Sequence, residues 1–157
     1  MRDRLRLSIA IAGAAAGGAV AIGVMEALSA RTDYPLMMVP FATSIVLVMG
    51  TPEAEPAQPR ALIGGHLISA LAGLLVLQVT GPSAVAAACA VGLAIAAMQL
   101  TRTFHPPAGI DPLIIVLNGL PWSFLIDPVA AGACLLALFA FLWHNAIRRG
   151  SWPRRWW

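Results

Sequence analysis

Four apolar runs, each close to the length of a membrane-spanning helix, constrain this chain more than any other feature of its sequence. They cover about Leu7–Ala30, Ala61–Val79, Pro82–Leu100 and Pro128–Ala146. A bilayer core about 30 Å thick is crossed by roughly 20 apolar residues in a helix. Charged residues make up only 11% of the 157 residues, against roughly 25% in soluble domains. The sequence therefore predicts an all-α, polytopic membrane helix bundle that interacts with the lipid bilayer.

Arginines concentrate at the two ends of the chain, before the first apolar run and after the last one. Loops and chain ends rich in Arg or Lys lie on the cytoplasmic side of a membrane. We therefore expect an integral protein of a bacterial inner (plasma) membrane with both termini cytoplasmic. The first run exceeds the core of about 7–15 residues found in signal peptides, so we expect it to be retained. The arginines do not follow an amphipathic face, so no nucleic-acid partner is expected.

Two further apolar segments are too short to cross a bilayer comfortably. Leu36–Met49 would measure about 21 Å as a helix at roughly 1.5 Å per residue, and Pro112–Leu120 is shorter still. Each begins in a proline-rich stretch, and each ends at a glycine, Gly50 or Gly119, which is the usual residue after a helix. We interpret them as short re-entrant half-helices.

The order of elements is a span, a half-helix and a span, followed by the same order again. We therefore expect a single membrane domain (1–157) of four full spans plus two half-helices, built from two degenerate repeats at about 7–80 and 81–147. The alternative is that the short segments also cross, which gives six spans and inverted repeats. Short segments interrupted by Pro and Gly at matching places in two halves point to a transport site.

Irregular backbone survives at membrane depth only where it is buried in protein or lines a polar cavity. Helix N-termini there present unpaired N–H groups that attract anions. In the second half, the prolines Pro106 and Pro107 precede the backbone N–H groups of Ala108, Gly109 and Ile110. In the first half, Pro40 precedes Ala42, Thr43 and Ser44, which add two hydroxyl groups.

Two histidines and one aspartate accompany these segments. His105 and His66 could hydrogen-bond a solute, or could respectively cap the loop and join two helices. Asp111 before Pro112 fits a helix N-cap, and we group both with the prolines as structural or gating residues. If Asp111 instead faced the pathway it would oppose an anion and favour a cation or a proton relay.

The remaining reactive side chains suggest neither a cofactor nor a catalytic site. Cys89 and Cys134 lie within apolar runs, far from any Cys/His cluster, so we expect small buried packing residues and no metal site. Signatures of hydrolases, phosphate loops and zinc proteases are missing from the sequence. We therefore expect no enzyme and no cofactor.

The sequence blocks resemble the HPP family of integral membrane proteins, which takes its name from a His-Pro-Pro motif. This motif is His105-Pro106-Pro107-Ala108-Gly109 here, and similar blocks are Pro40-Phe41-Ala42-Thr43-Ser44, Gln58-Pro59-Arg60 and Gly64-Gly65-His66. The resemblance covers roughly residues 39 to 142. It implies a four-span membrane protein, and similarity to plastid members implies nitrite transport. Asp111-Pro112 departs from the small or apolar pair expected there.

The leading hypothesis is a transporter or channel for a small monovalent inorganic anion, with nitrite first. Its predicted substrate-binding residues are Thr43, Ser44, His66, His105, Ala108, Gly109 and Ile110. The alternatives are a non-transporting membrane scaffold or subunit, and a cation or proton pathway through Asp111. Because a chain of 16.4 kDa buries only a few helices, we also expect a homo-oligomer.

Overall fold

A computed structural model describes residues 2–30 and 38–156. The described residues are helical and contain no β-strand. The six α-helices are α1 (Arg2–Ser29), α2 (Met38–Gly50), α3 (Pro59–Thr80), α4 (Ala84–Leu100), α5 (Asp111–Asn118) and α6 (Ala131–Ile147). Short 3-10 turns at Glu55–Ala57, Pro106–Ile110 and Trp122–Leu125, and a π-helical turn at Ile126–Ala130, lie between them.

Three helical stretches in the described part are long and apolar enough to cross a membrane. They are Leu7–Ser29, Pro59–Thr80 and Trp122–Ile147. Helix α4 is slightly shorter at 17 residues, or about 25 Å at roughly 1.5 Å per residue. The prediction of a helical membrane protein is confirmed. The number of spans, the re-entrant arrangement, the membrane and the side on which the termini lie stay predictions.

The last long helix begins later than its sequence suggests. Asp127 has an extended backbone (φ −127°, ψ 111°), so the chain bends before the regular helix α6 starts at Ala131. Asp127-Pro128 therefore does not form the simple helix start that its residue types favour. The adjoining turns continue the apolar stretch back to Trp122.

The two short helices form where the prolines and glycines predict them. Helix α2 has 13 residues and α5 has 8, which correspond to about 20 Å and 12 Å. Gly119 follows α5 in the left-handed conformation (φ 60°), and its N–H bonds to the carbonyl of Ile115. Glycine adopts this conformation without steric cost, so it ends the helix.

Each half of the chain packs one long helix against the short helix of the other half. Gly73 of α3 lies so close to Pro112 of α5 that an added Cβ would come within 2.6 Å of the proline Cα. In the same way, Gly132 of α6 lies against the ring of Phe41 in α2. These reciprocal contacts are consistent with two related halves. That the halves are repeats stays a prediction.

The largest buried apolar cluster joins α1, α2, α3 and α6 through residues such as Met25, Phe41, Leu62 and Leu136. The cysteines are not part of it, because Cys89 and Cys134 are both exposed on the outer faces of α4 and α6. The expectation that they are buried packing residues is wrong. In an apolar run, the sequence gives no sign of which face of a helix meets lipid.

Candidate functional site

Four polar side chains from four different parts of the chain meet in the interior. Ser44 comes from α2, His66 from α3, His105 from the loop before the 3-10 turn Pro106–Ile110, and Asp111 from the first position of α5. Each has 0% of its surface exposed. Buried polar groups are costly unless they are hydrogen-bonded, so their convergence requires mutual contacts. We call these four residues the polar cluster.

His66 lies at the centre of the polar cluster and uses both ring nitrogens. Its Nδ1 atom lies 2.8 Å from Oδ2 of Asp111, and its Nε2 atom lies 2.9 Å from Oγ of Ser44. The ring of Phe41 packs against the imidazole with 4.6 Å between ring centroids. The imidazole orientation is thus fixed by two hydrogen bonds and one aromatic contact.

His105 extends the polar cluster on the other side of Ser44. Its Nε2 atom lies 2.9 Å from Oγ of Ser44, and its Nδ1 atom lies 2.7 Å from the carbonyl oxygen of Pro56. A carbonyl oxygen only accepts hydrogen bonds. Nδ1 of His105 therefore carries a proton and is the donor in the hydrogen bond to the Pro56 carbonyl.

Asp111 uses only one of its two carboxyl oxygens. Within the described part of the chain, Oδ1 is buried and has no hydrogen-bond partner. The expected role of Asp111 as an N-cap is wrong: Ile110 is the cap residue of α5, with no side-chain cap, and the Asp111 carboxyl bonds to His66. The side chain faces the polar cluster because a buried imidazole is the stronger partner.

Two small residues of α3 let the His-Pro-Pro loop approach. A Cβ added to Gly65 would come within 2.5 Å of the Cβ of His105, so only glycine leaves room there. One turn further on, the hydroxyl of Ser69 donates to the carbonyl of Ala108 at 2.6 Å. Together they hold His105 and Ala108 against α3.

Most of the backbone groups predicted to bind an anion are already paired here. The N–H of Ala108 donates to the carbonyl of His105 at 3.0 Å. Helix α2 begins at Met38, and only the first four N–H groups of a helix lack partners inside it. Those of Ala42 to Ser44 are therefore used within α2. The expectation that these groups are unpaired is wrong for Ala108, which bonds within its own turn, and for Ala42 to Ser44, because α2 begins before Pro40. For the N–H groups of Gly109 and Ile110 it stays a prediction.

The other predicted site residues lie around the polar cluster. Thr43 is exposed and, with Pro106, Pro107 and Ile110, lines a surface groove of about 470 Å³. Gly109 is half-buried. Pro40 and Pro112 are buried, and the Pro40 carbonyl lies 3.4 Å from Oγ of Ser44, which is longer than a normal hydrogen bond of this kind.

A second cleft, of about 230 Å³, opens beside the loop that carries His105. Glu55, Pro56, Ala61, Gln99, Arg102 and Phe104 line it. Arg102 is exposed and has a positive φ of 56°, and it lines this cleft together with Pro56, the hydrogen-bond partner of His105. We call this space the Arg102 cleft.

Sequence reasoning missed the residues that position Pro56, because no motif indicates them. Gln58 donates to the carbonyls of Pro52 and Ala54 at 2.8 and 3.0 Å and accepts from the backbone N–H of Arg154 at 2.7 Å. The buried indole of Trp152 donates to the carbonyl of Ala57 at 3.2 Å. The C-terminal segment thereby braces the turn before α3.

In the described residues, no group of three or more His, Cys, Asp or Glu side chains is arranged to hold a metal ion. The two histidines and Asp111 are linked one to the next, with Ser44 between the histidines, and do not surround a common point. The arrangement is therefore suited to hydrogen bonding and to movement of protons between neighbouring groups.

Comparisons with known proteins all match this chain to transmembrane proteins. The family model of the HPP transmembrane region matches residues 3–153. A transmembrane protein of Dictyostelium discoideum is 36% identical over 140 residues, which are 84% of this chain and 48% of the relative. Another from the same organism is 37% identical over 125 residues, 74% of this chain and 40% of the relative. The chain thus spans about half the length of these relatives or less, and no solved structure gives a significant match.

Proposed function

Because this chain belongs to the HPP transmembrane family, we propose that it carries a small monovalent anion across a membrane. Nitrite is the first candidate, since the His-Pro-Pro blocks resemble those of plastid nitrite transporters.

The observation that carries the proposal is the polar cluster itself. Ionisable side chains buried among membrane helices are expensive, and they mark solute or proton pathways by default. Here two histidines and an aspartate are fully buried where the two short helices α2 and α5 meet α3. Transport sites in proteins with broken helices are formed at such meeting points.

The Arg102 cleft supports an anion as the solute. An exposed cation on the wall of a cleft attracts anions, although the exposed Glu55 lines the same cleft. Pro56, whose carbonyl is bonded to His105, is also on the wall. In this proposal an anion collects at Arg102 and then passes towards the His-Pro-Pro loop.

Side chains, more than backbone groups, provide the donors in this proposal. Ser44, His66 and His105 present hydroxyl and imidazole donors, and Thr43 adds a hydroxyl in the neighbouring groove. Ala108, Gly109 and Ile110 form the wall of the site, and their N–H groups contribute when the turn opens. Pro40, Pro106, Pro107 and Pro112 keep the short helices broken.

One observation favours a second candidate, a cation pathway. The free oxygen Oδ1 of Asp111 is a buried acceptor, and oxygen ligands are what small cations prefer. In this alternative a cation occupies the space beside Asp111, and the Arg102 cleft has no part in transport.

A catalytic function is not proposed, although three residues have the order of a serine hydrolase triad. Oγ of Ser44 bonds to His66, and His66 bonds to Asp111, as in Ser-His-Asp enzymes. In those enzymes the nucleophile faces substrate and preorganised oxyanion donors. Oγ of Ser44 is fully buried and is also bonded to His105.

We also propose that copies of the chain associate in the membrane. The described residues expose many large apolar side chains, among them Val79, Val85 and Leu100, and lipid or a second copy covers them. The mass of the purified protein–detergent complex distinguishes one copy from several.

The test is solute flux into proteoliposomes made from the pure protein. Uptake of nitrite, nitrate and chloride is compared with that of sodium and potassium, each against protein-free liposomes. Anion uptake above the protein-free level supports the proposal. Cation uptake that Asp111→Asn abolishes favours the second candidate, and no flux of any ion indicates a non-transporting scaffold or subunit.

A further inference from the structure

The polar cluster is a continuous chain of hydrogen bonds with a countable number of protons. In order, it runs from the carbonyl of Pro56 through His105, Ser44 and His66 to Asp111. Its four links measure 2.7, 2.9, 2.9 and 2.8 Å. All four are normal hydrogen-bond lengths, and each link needs one proton between its two heavy atoms.

The usual protonation states do not supply enough protons for these four links. A neutral histidine carries one N–H, a serine carries one O–H, and an ionised carboxylate carries none. Two neutral histidines, one serine and an aspartate anion therefore provide three protons. A fourth proton is required to complete the chain, and with it the net charge of the four side chains is zero.

The bond to Pro56 fixes one end, and two proton arrangements then satisfy the chain. In the first, Ser44 donates to His105 and accepts from His66, and the fourth proton lies between His66 Nδ1 and Asp111 Oδ2. In the second, Ser44 donates to His66, and a doubly protonated His105 donates to Ser44. Transfer of each proton across its own link, between Asp111 and His105, converts one arrangement into the other.

Among residues 2–30 and 38–156, no other group that packs around the cluster supplies a compensating charge. Glu53 and Glu55, in the segment before α3, and Asp127, before α6, are exposed, as is Arg102 in its cleft. Arg60 of α3 donates to the carbonyl of Thr101 at 2.8 Å. His144 of α6 bonds to the carbonyl of Val48 in α2, and Cys89 of α4 and Cys134 of α6 face outwards. Apart from Asp111, neither α5 nor the 3-10 turn before it carries a titratable side chain.

We propose that the polar cluster binds one proton along its hydrogen bonds from Asp111 to His105. This proton must be bound before an anion can enter. The inference rests on the proposed anion transport. Without the fourth proton, the cluster has a net charge of −1 in a fully buried position, where charges interact strongly, and an anion is repelled. With the proton bound, the cluster is neutral, so anion and proton cross together.

The carboxyl of Asp111 forms one end of this proton site and has one oxygen without a hydrogen bond. Oδ1 is buried and has no partner in the described residues, so it can accept a proton or a water molecule without breaking the link from Oδ2 to His66. His105 forms the opposite end, next to Pro56 and the Arg102 cleft. A proton on the cluster therefore has two ends from which to leave.

The coupling is tested in proteoliposomes that contain a trapped pH-sensitive dye, with the membrane voltage clamped by a potassium ionophore. An imposed acid-outside gradient should accelerate uptake of nitrite and nitrate several-fold, and the interior should acidify as the anion enters. In Asp111→Asn the titrating carboxyl is absent, so the imposed gradient should no longer accelerate whatever uptake that variant retains. Protein-free liposomes correct for nitrous acid that crosses lipid unaided.

Ser69→Ala is the matched control, because Ser69 is buried beside the cluster but bonds only to Ala108. It should retain the response to the gradient. Size-exclusion profiles and helical content show whether each variant is folded. If wild-type protein moves anions and their rate ignores the gradient, the coupling proposal is wrong while the transport proposal stands.

A second measurement does not depend on transport. Infrared difference spectra between acidic and alkaline buffer should show a protonated-carboxyl band that is missing from Asp111→Asn. Nitrogen NMR of labelled histidine should show Nδ1 of His105 protonated in both buffers. If Asp111→Asn removes no band and both histidine tautomers stay fixed, the cluster does not bind the proton, whatever the flux assay shows.

Discussion

Oδ2 of Asp111 lies 2.8 Å from Nδ1 of His66, and both side chains are fully buried. This contact joins α5 to α3 across 45 residues of sequence. It places the carboxyl, which the local sequence assigns to a helix start, in the interior of the bundle. The carboxyl group that would repel an anion is thus hydrogen-bonded to an imidazole.

Replacing Asp111 with alanine should destabilise the protein more than replacing it with asparagine. Alanine leaves His66 with a buried and unsatisfied ring nitrogen, at a cost of about 1–3 kcal/mol. The amide of asparagine still donates to Nδ1. Thermal unfolding in detergent should show a lower midpoint for Asp111→Ala than for Asp111→Asn, and equal midpoints contradict the hydrogen bond.

Gly65→Ala should be destabilising although it inserts a good helix former. The new methyl would lie 2.5 Å from the Cβ of His105, and overpacking of this kind costs about 1–3 kcal/mol. Gly92→Ala in α4 is the control, because nothing lies within 4 Å of its added Cβ. Gly92→Ala should be neutral or slightly stabilising, and the two unfolding midpoints should move in opposite directions.

Arg102→Gln should slow anion uptake several-fold at low ionic strength. The loss should shrink as salt is added, because exposed charges are screened beyond about 10 Å at 0.1 M. Arg149→Gln, which removes an exposed arginine near the C-terminus, should leave uptake unchanged. A salt-independent loss in Arg102→Gln would mean that this arginine acts through structure and not through its charge.

Gln58→Ala should loosen the C-terminal segment. The change removes the acceptor for the N–H of Arg154 and the donors to Pro52 and Ala54. Each lost hydrogen bond is worth about 1 kcal/mol. Trypsin should then cleave after Arg154 or Arg155 faster than in the wild type, while cleavage after Arg4 serves as the internal reference.

Ser44 should not react with a fluorophosphonate probe in the folded protein. Its Oγ is buried and bonded to two histidines, so no space is left for an attacked phosphorus. Labelling is measured by intact mass, with Ser44→Ala as the control. Stoichiometric labelling that Ser44→Ala removes would overturn the assignment of a non-catalytic protein.

The sequence was sufficient to predict the helices because they follow from composition and from helix-breaking residues. The apolar runs predict α1, α3 and α4 within a few residues, and α5 ends at Gly119 as expected. The start of α6 was predicted too early, because a favourable Asp-Pro start cannot reveal that the chain bends at Asp127.

The members of the polar cluster were found as single residues, but their connections were not. Ser44 and His105 are 61 positions apart, and no periodicity relates residues on separate helices. Asp111 was misassigned because the same Asp-Pro pair suits a helix cap and a buried partner of histidine. The support of Pro56 by Gln58 and Trp152 depends on the path of the C-terminal segment, which composition does not encode.

The contact of each long helix with the short helix of the other half bears on how the protein is made. Ser44 and His66 leave the ribosome and enter the membrane before His105 and Asp111 have been synthesised. During that interval these two polar side chains lie in membrane segments without their later partners. We therefore expect a membrane chaperone or the translocon to stay bound to the nascent chain. A nascent chain halted near Gly81 should therefore remain cross-linkable to the insertion machinery, and it should be released once α5 has been added.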